Sequence, residues 1–111
     1  MKLPNGELGV VELAKLRVYS LSPVHPEGKH KARVFAAALG LTQADAERLR
    51  EQLLAASKEQ DCVSGLMDEH GQRYIVDFTA TFRGKSAHLR SAWNVRPEEN
   101  FPRLVSCYVA D

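Results

Sequence analysis

The chain has 111 residues, of which 44% are hydrophobic, enough for a single domain over residues 1–111 that buries its own core. The formal net charge of +1 excludes a polyelectrolyte tail, so any nucleic-acid binding must come from a local patch. Two cysteines are too few for a disulfide-rich secreted scaffold, and the sequence contains neither a signal peptide nor an apolar run of the roughly 20 residues that a membrane helix needs. These features favour a cytoplasmic protein without membrane contact.

Helical spacing of apolar residues predicts three helices in the first half of the chain. The first is short and covers residues 12–20. Residues 22–28 hold two prolines and a glycine, which predicts a rigid loop. A second helix over 27–39 ends at Gly40, and a third over 42–57 follows a capping-box pattern.

Apolar and polar residues alternate in the second half, which is typical of half-buried β-strands. Strands are predicted over residues 62–67, 73–83, 86–95 and 104–109, with a two-residue hairpin turn that begins at Gly84. The order of elements predicts an α+β fold. Two to three N-terminal helices would pack on a C-terminal four-stranded antiparallel sheet.

The alternation also predicts which side chains face the core. On the two long strands we expect these to be Tyr74, Val76, Phe78, Ala80 and Phe82, facing Val95, Trp93, Ser91, Leu89 and Ala87 in that order. On the last strand a slip of one residue exchanges the two faces. Either Cys107 or the pair Ser106 and Tyr108 therefore faces inward.

Cations gather at the start of the predicted second helix. Lys29, Lys31 and Arg33 flank His30 within five residues. The exposed amides and positive dipole of a helix start attract phosphate, so the cluster indicates an anion site, with a solvated basic face as the alternative. On a helical wheel Lys31 lies within the apolar arc, whereas the other three share the polar side. The apolar residues of this arc are Val34, Phe35, Ala36, Ala38 and Leu39.

Ser91 and Trp93 place polar groups on the apolar face of the third strand. A buried hydroxyl or indole N–H needs a hydrogen-bond partner. Two interpretations follow. Either both residues pack in the core, or this end of the sheet faces a cleft beneath the second helix, into which Lys31 also points.

These residue types suit RNA cleavage without a metal. Attack of the ribose 2′-hydroxyl on the adjacent phosphate needs a proton acceptor, cations for the phosphorane charge and an acid for the leaving oxygen. No close His or Cys pair has metal-ligand spacing and no glycine-rich nucleotide loop occurs, so we expect no metal and no cofactor. The candidate catalytic residues are His30, Lys31, Lys29 and Ser91, and the candidate substrate-binding residues are Trp93, Arg33 and His25.

The sequence resembles an uncharacterised bacterial family of small proteins, a domain of unknown function, over nearly its whole length. The residues that carry this resemblance include His25-Pro26, Gly28, the run from His30 to Phe35, and Arg90-Ser91-Ala92-Trp93. A more distant resemblance is to the superfamily that groups barnase, EndoU, colicin D and RelE, which places helices before a four-stranded antiparallel sheet.

Colicin D-like tRNA-cleaving toxins use a Lys-x-Lys-His cluster and a later Ser-x-Trp. Here Lys29-His30-Lys31 and Ser91-Ala92-Trp93 look similar, although the histidine lies between the lysines instead of after them. The resemblance implies an endoribonuclease of the bacterial toxin type, with RNA (tRNA among the possible substrates) and a cognate antitoxin or immunity protein as partners. It also implies proton transfer by His30, phosphate contacts by the lysines and substrate contacts by Ser91 and Trp93.

Two other functions fit the same residues. The chain is a non-catalytic module that binds RNA or an acidic protein, or it is the antitoxin or immunity subunit of such a pair. A binding module would show salt-sensitive binding without cleavage. The basic helix start disfavours the antitoxin or immunity subunit.

Overall fold

The helical first half and the β-sheet second half are both present in a computed structural model, which describes residues 1–110. The helices are α1 (Leu13–Lys15, continued as a π-helix over Leu16–Ser20), α2 (Lys29–Leu39) and α3 (Ala46–Glu59, preceded by a 3-10 turn over Gln43–Asp45). The strands are β1 (Val63–Asp68), β2 (Gly71–Phe82), β3 (Lys85–Val95) and β4 (Arg103–Val109), in the spatial order β1-β2-β3-β4 and all antiparallel. No helix within residues 1–110 is long and apolar enough to cross a membrane.

Helix α2 ends where the sequence predicts, because Gly40 adopts the left-handed conformation at φ 67° that terminates a helix. Its buried face consists of Ala32, Phe35 and Leu39. Val34 belongs to the predicted apolar arc but is 45% exposed. The arc is therefore narrower than predicted and centred on Phe35.

The predicted capping box before α3 is confirmed. The backbone N–H of Thr42 donates to Asp45 Oδ2 at 3.0 Å, and Arg83 donates to the other carboxylate oxygen at 2.8 Å. Asp45 is 6% exposed. The bond from the Thr42 backbone, helped by Arg83, lowers the pKa of the Asp45 carboxyl below its ordinary value and outweighs the effect of burial.

We expect Asp45→Asn to destabilise the fold by about 1 kcal/mol near neutral pH, a typical value for a lost cap. Since the folded-state pKa of Asp45 is below its unfolded value, this stabilisation is complete above the unfolded pKa and is lost as the pH falls through the folded one. The stability gap between wild type and Asp45→Asn should therefore shrink on acidification. Urea unfolding at neutral and at acid pH measures this difference in unfolding free energy, with Asp61→Asn at an exposed position as control. An equal difference at both pH values would contradict the role assigned to the Asp45 carboxylate.

The hairpin between β2 and β3 turns one residue earlier than predicted. Phe82 pairs with Lys85 instead of the expected Ala87, so the turn residues are Arg83 and Gly84, at φ 48° and 83°. Two successive positive φ angles are the signature of a type I′ turn. Each cross-strand partner shifts by two residues, and an even shift leaves the inward and outward faces as predicted.

The core lies between the helices and one face of the sheet. On β4 Cys107 is 1% exposed and faces this core, while its neighbours Ser106 and Tyr108 are half-buried on the opposite face. The register of β4 shifts between its pairs with Ala92 and Trp93, which leaves Val105 as the extra residue. The bulge explains why both Leu104 and Cys107 face inward despite their odd spacing.

Candidate functional site at the edge of strand β4

The cationic cluster at the start of α2 divides between two sides of the helix. Lys29 and Arg33 are four residues apart and line one groove of about 330 Å³. Lys31 lies about 200° around the helix from Lys29 and is half-buried on the side toward β4. His30 is exposed. Of the four residues only Lys31 is half-buried, in keeping with its place in the apolar arc, but it shares no cleft with Ser91 and Trp93, and the cations do not form one cluster.

Ser91 and Trp93 are interior residues, each 0% exposed. The Trp93 indole N–H donates to Ser91 Oγ at 2.9 Å, and Ser91 Oγ donates to the Val76 carbonyl oxygen at 2.8 Å. Both polar groups are thus satisfied internally, as buried groups usually are. Of the two interpretations, core packing is confirmed and the solvent-filled cleft is wrong, because the helices seal this face of the sheet, and neither side chain can touch a substrate in this structure.

The loop before α2, which the sequence predicts to be rigid, has its backbone held by hydrogen bonds to its own side chains. Ser22 Oγ accepts the N–H groups of Val24 and His25 at 3.3 and 3.2 Å. His25 Nδ1 accepts the N–H groups of Glu27 and Gly28, both at 3.0 Å. Since a backbone N–H can only donate, Nδ1 carries no proton and the neutral ring is protonated at Nε2. His25 therefore presents an N–H donor to anything that binds beside it.

Close backbone packing sets His25 against the π-helix. A Cβ atom on Gly28 would lie 2.1 Å from the Tyr19 carbonyl oxygen, so only glycine allows this approach. The Tyr19 ring meets the His25 ring edge to face, with centroids 4.6 Å apart. Single-turn π-helices occur frequently at functional sites.

His25 and Tyr19 share a groove of about 430 Å³ along the edge of β4. Lys15 also lines it, and its Nζ lies 3.4 Å from the carbonyl oxygen of Leu104 and 3.5 Å from that of Val105. The complete lining is Glu12, Ala14, Lys15, Val18, Tyr19, His25 and Val105. The groove combines a carboxylate, an ammonium group, an imidazole and a phenol.

Lys31 reaches the same strand farther along. Its Nζ lies 5.0 Å from the centroid of the Tyr108 ring, a cation–π contact. Tyr108 pairs across the sheet with Arg90, which donates two hydrogen bonds to Asp77, at 2.8 and 2.9 Å. These bonds lower the pKa of Asp77, which is also the cross-strand partner of Arg90 in the pairing of β2 with β3. We define the β4-edge site as the groove together with Lys31 and Tyr108.

The thiol next to this site is not a nucleophile. Burial raises the pKa of Cys107 to about 12, so the thiol stays protonated at neutral pH. No group of three or more His, Cys, Asp or Glu side chains within residues 1–110 is placed to hold a metal ion. The polar side chains of the β4-edge site are its lysines, imidazole, phenols and carboxylate.

Sequence reasoning named two members of this site, His25 and Lys31, and missed Glu12, Lys15, Tyr19 and Tyr108. Tyr108 was considered only as an alternative core residue. A weak signal existed for Lys15, because it stands four residues before Tyr19, and residues at that spacing share one side of a helix. Their approach to β4 depends on tertiary packing.

Comparisons with known proteins give a family and a fold. The family model described as a domain of unknown function, DUF6883, matches residues 2–111. Among solved structures, a chain of a contact-dependent growth inhibition toxin and immunity protein complex from Klebsiella pneumoniae 342 is similar, with a TM-score of 0.72 and 16% identity. The alignment covers 91% of this chain and 99% of that one. No curated protein matches the sequence.

Proposed function

We propose that this chain, which belongs to the DUF6883 family, is a metal-independent endoribonuclease of the bacterial toxin type. It would act on RNA in the cytoplasm, tRNA being one possible substrate, and be held in check by a cognate immunity protein or antitoxin. The likeness to a chain of a toxin and immunity protein complex supports a role in such a pair through the fold alone, and it fits the toxin and the immunity protein equally.

The observation that carries the proposal is that two lysines and a histidine of fixed tautomer lie along the edge of β4. Lys15 and His25 line one groove, and Lys31 reaches the same strand over Tyr108. None of the three has a carboxylate partner among the salt bridges within residues 1–110. Unpaired cations beside a donor N–H and aromatic rings suit the phosphate, sugar and base of single-stranded RNA.

The reaction is a transphosphorylation. The 2′-oxygen forms a bond to phosphorus, the bond from phosphorus to the 5′-oxygen breaks, and a 2′,3′-cyclic phosphate remains. Glu12, the carboxylate of the groove, takes the proton of the 2′-hydroxyl, and the 5′-oxygen takes one from the Lys15 ammonium or from water. His25 Nε2–H donates to a phosphate oxygen, and Lys31 stabilises the phosphorane charge.

This assignment changes the roles expected from the sequence. His25 and Lys31 keep substrate and phosphate contacts, and His25 acts as a hydrogen-bond donor through Nε2–H. His30 is exposed outside the groove, and Lys29 and Arg33 line the other side of α2. We assign these three to attraction of the RNA backbone, not to the chemical step.

Incubation of the purified protein with total RNA in excess EDTA tests the function. We expect new RNA ends that carry 2′,3′-cyclic phosphate, and no cleavage of DNA or of RNA with a 2′-deoxy nucleotide at the cleaved position. Binding that leaves the RNA intact after long incubation would instead support the non-catalytic RNA-binding module. Cleavage that stops in EDTA or produces 3′-hydroxyl ends would rule out this mechanism.

The His25→Asn variant separates the role of Nε2–H from the structural role of His25. An asparagine side-chain oxygen can accept the same two backbone N–H groups and suits such a turn. We expect nearly unchanged thermal stability and a loss of cleavage rate of about 100-fold. The matched control is His30→Asn, which should cleave at close to the wild-type rate. Slow cleavage by His30→Asn together with normal cleavage by His25→Asn would show that the exposed His30 is the catalytic histidine.

A further inference from the structure

Three polar side chains form a row across the outer face of the sheet, the face away from the helices. Asp77 on β2 pairs with Arg90 on β3, and Arg90 pairs in turn with Tyr108 on β4. Residues that pair directly across antiparallel strands share one face, with Cβ atoms about 5 Å apart. The row therefore ends at Tyr108, whose ring contacts Lys31 in the β4-edge site.

The first contact of the row fixes both the distance and the direction of Arg90. Arg90 Nε and Nη2 donate to the two carboxylate oxygens of Asp77 at 2.8 and 2.9 Å. Two parallel bonds set the plane of the guanidinium, which the single ammonium of a lysine could not do. The bonds to Asp77, with a smaller contribution from the neighbouring Tyr108 phenol, raise the pKa of Arg90 above its ordinary value. The guanidinium thus lies between Asp77 and Tyr108.

The ion pair of Asp77 and Arg90 adds little to the stability of the fold. The side chains of Arg90 and Asp77 are 45% and 39% exposed, and ion pairs at an exposed surface contribute little to the unfolding free energy. An exposed arginine normally samples many rotamers, whereas two bonds to one carboxylate leave Arg90 with few. The main effect of the pair is therefore to hold the guanidinium beside Tyr108.

Lys31 depends on Tyr108 for the position of its ammonium group. Within residues 1–110 no carboxylate forms a salt bridge with Lys31. Its Nζ lies 5.0 Å from the centroid of the Tyr108 ring. Lys31 also lies near the buried Cys107 thiol, which is protonated and only a weak hydrogen-bond acceptor. A lysine has a flexible four-carbon stem, so a fixed ring gives the ammonium a fixed place.

We propose that Asp77 and Arg90 are positioning residues for the β4-edge site, because their ion pair holds the Tyr108 ring where it contacts the Lys31 ammonium. The inference rests on the proposed function in one respect, that Lys31 contacts the phosphate of the RNA. Neither Asp77 nor Arg90 lines the groove of the site. Loss of the ion pair should therefore slow the cleavage of bound RNA without weakening its binding.

NMR of the free protein tests the positioning without RNA. In wild type, the ring current of Tyr108 should move the signals of the Lys31 ε-methylene protons upfield. We expect Asp77→Asn to lose at least half of this shift, with Tyr108→Leu as the reference for its complete loss. Asp68→Asn, which removes a carboxylate from β1 at the far edge of the sheet, is the matched control and should keep the shift. An unchanged Lys31 shift in Asp77→Asn would overturn the proposal.

Single-turnover cleavage at saturating protein tests the consequence for the reaction. Asp77→Asn should cleave at least about tenfold more slowly, because a small misplacement of a group near the reacting atoms is costly. It should bind an uncleavable RNA as well as wild type or better, since the variant has lost a negative charge. Asp77→Glu, which can again accept two bonds from Arg90, should recover part of the rate, and Asp68→Asn should cleave like wild type.

The two measurements separate this proposal from the proposed function. A wild-type rate in Asp77→Asn, or a slower rate that weaker RNA binding explains, would contradict the positioning role. If the wild-type protein does not cleave RNA, the proposed function fails, while the Lys31 proton shift still decides whether Asp77 and Arg90 hold the Tyr108 ring.

Discussion

The Lys31→Ala variant is expected to cleave RNA about 100-fold to 1,000-fold more slowly than wild type, the range for loss of one preorganised group that stabilises transition-state charge. Lys31 is half-buried over the Tyr108 ring, where its ammonium is less hydrated than at an open surface position. Single-turnover cleavage of an RNA oligonucleotide in EDTA measures the rate. Lys31→Arg should retain part of the activity, because it keeps the charge but changes its geometry.

The matched control for Lys31→Ala is Lys29→Ala, which removes the same charge from the opposite side of α2. Lys29 is exposed and lines the other groove, so its loss should weaken RNA binding at low salt and leave the rate of bound RNA unchanged. Thermal unfolding of both variants excludes a folding defect. Equal loss of the chemical rate in both variants would show that the side of the helix is irrelevant and would contradict the β4-edge site.

The Trp93→Ala variant should lose about 3–5 kcal/mol of unfolding free energy, since it leaves a large cavity in the core. Trp93 is 0% exposed, and its hydrogen bond to Ser91 is lost as well. A loss of this size is a large part of the total unfolding free energy of a small protein, which is typically about 5–15 kcal/mol. Urea unfolding followed by circular dichroism measures the loss.

Trp93→Phe is the control for this core assignment. Phenylalanine fills most of the cavity, and Ser91 Oγ keeps its bond to the Val76 carbonyl oxygen, so the loss should be clearly smaller. RNA cleavage by folded Trp93→Phe should match wild type. A Trp93→Ala protein that remains stable but no longer binds RNA would instead favour the stacking role predicted from the sequence.

The secondary structure and the faces of the sheet follow from local patterns, which is why they could be predicted. The capping box of Thr42 and Asp45 and the helix end at Gly40 each depend on residues within one turn. The hairpin register could not be predicted as well, because Arg83 takes a positive φ that favours glycine. Which residue of β4 faces the core, Cys107 or its neighbours, depends on the β4 bulge, and the alternation of apolar and polar residues does not reveal a bulge.

The candidate site could be predicted only in part, because its members come from three segments that are distant in sequence. Helical geometry assigned Lys31 to the inner side of α2, but it could not show that this side meets the edge of β4. For Ser91 and Trp93 the sequence leaves core packing and a cleft both open, since a polar pair on an apolar face is compatible with a substrate contact and with an internal hydrogen bond. Only the burial of these two side chains in the structure distinguishes an internal hydrogen bond from a substrate contact.

The most direct test of the β4-edge site is an NMR titration of the labelled protein with a short RNA made uncleavable by 2′-deoxy substitution. We predict that the largest shift changes occur at Lys15, Tyr19, His25, Lys31 and Tyr108, and that Lys29→Ala preserves this pattern while Lys31→Ala weakens it. Shift changes confined to Lys29, Arg33 and the exposed side of α2, with the groove unaffected, would contradict the account.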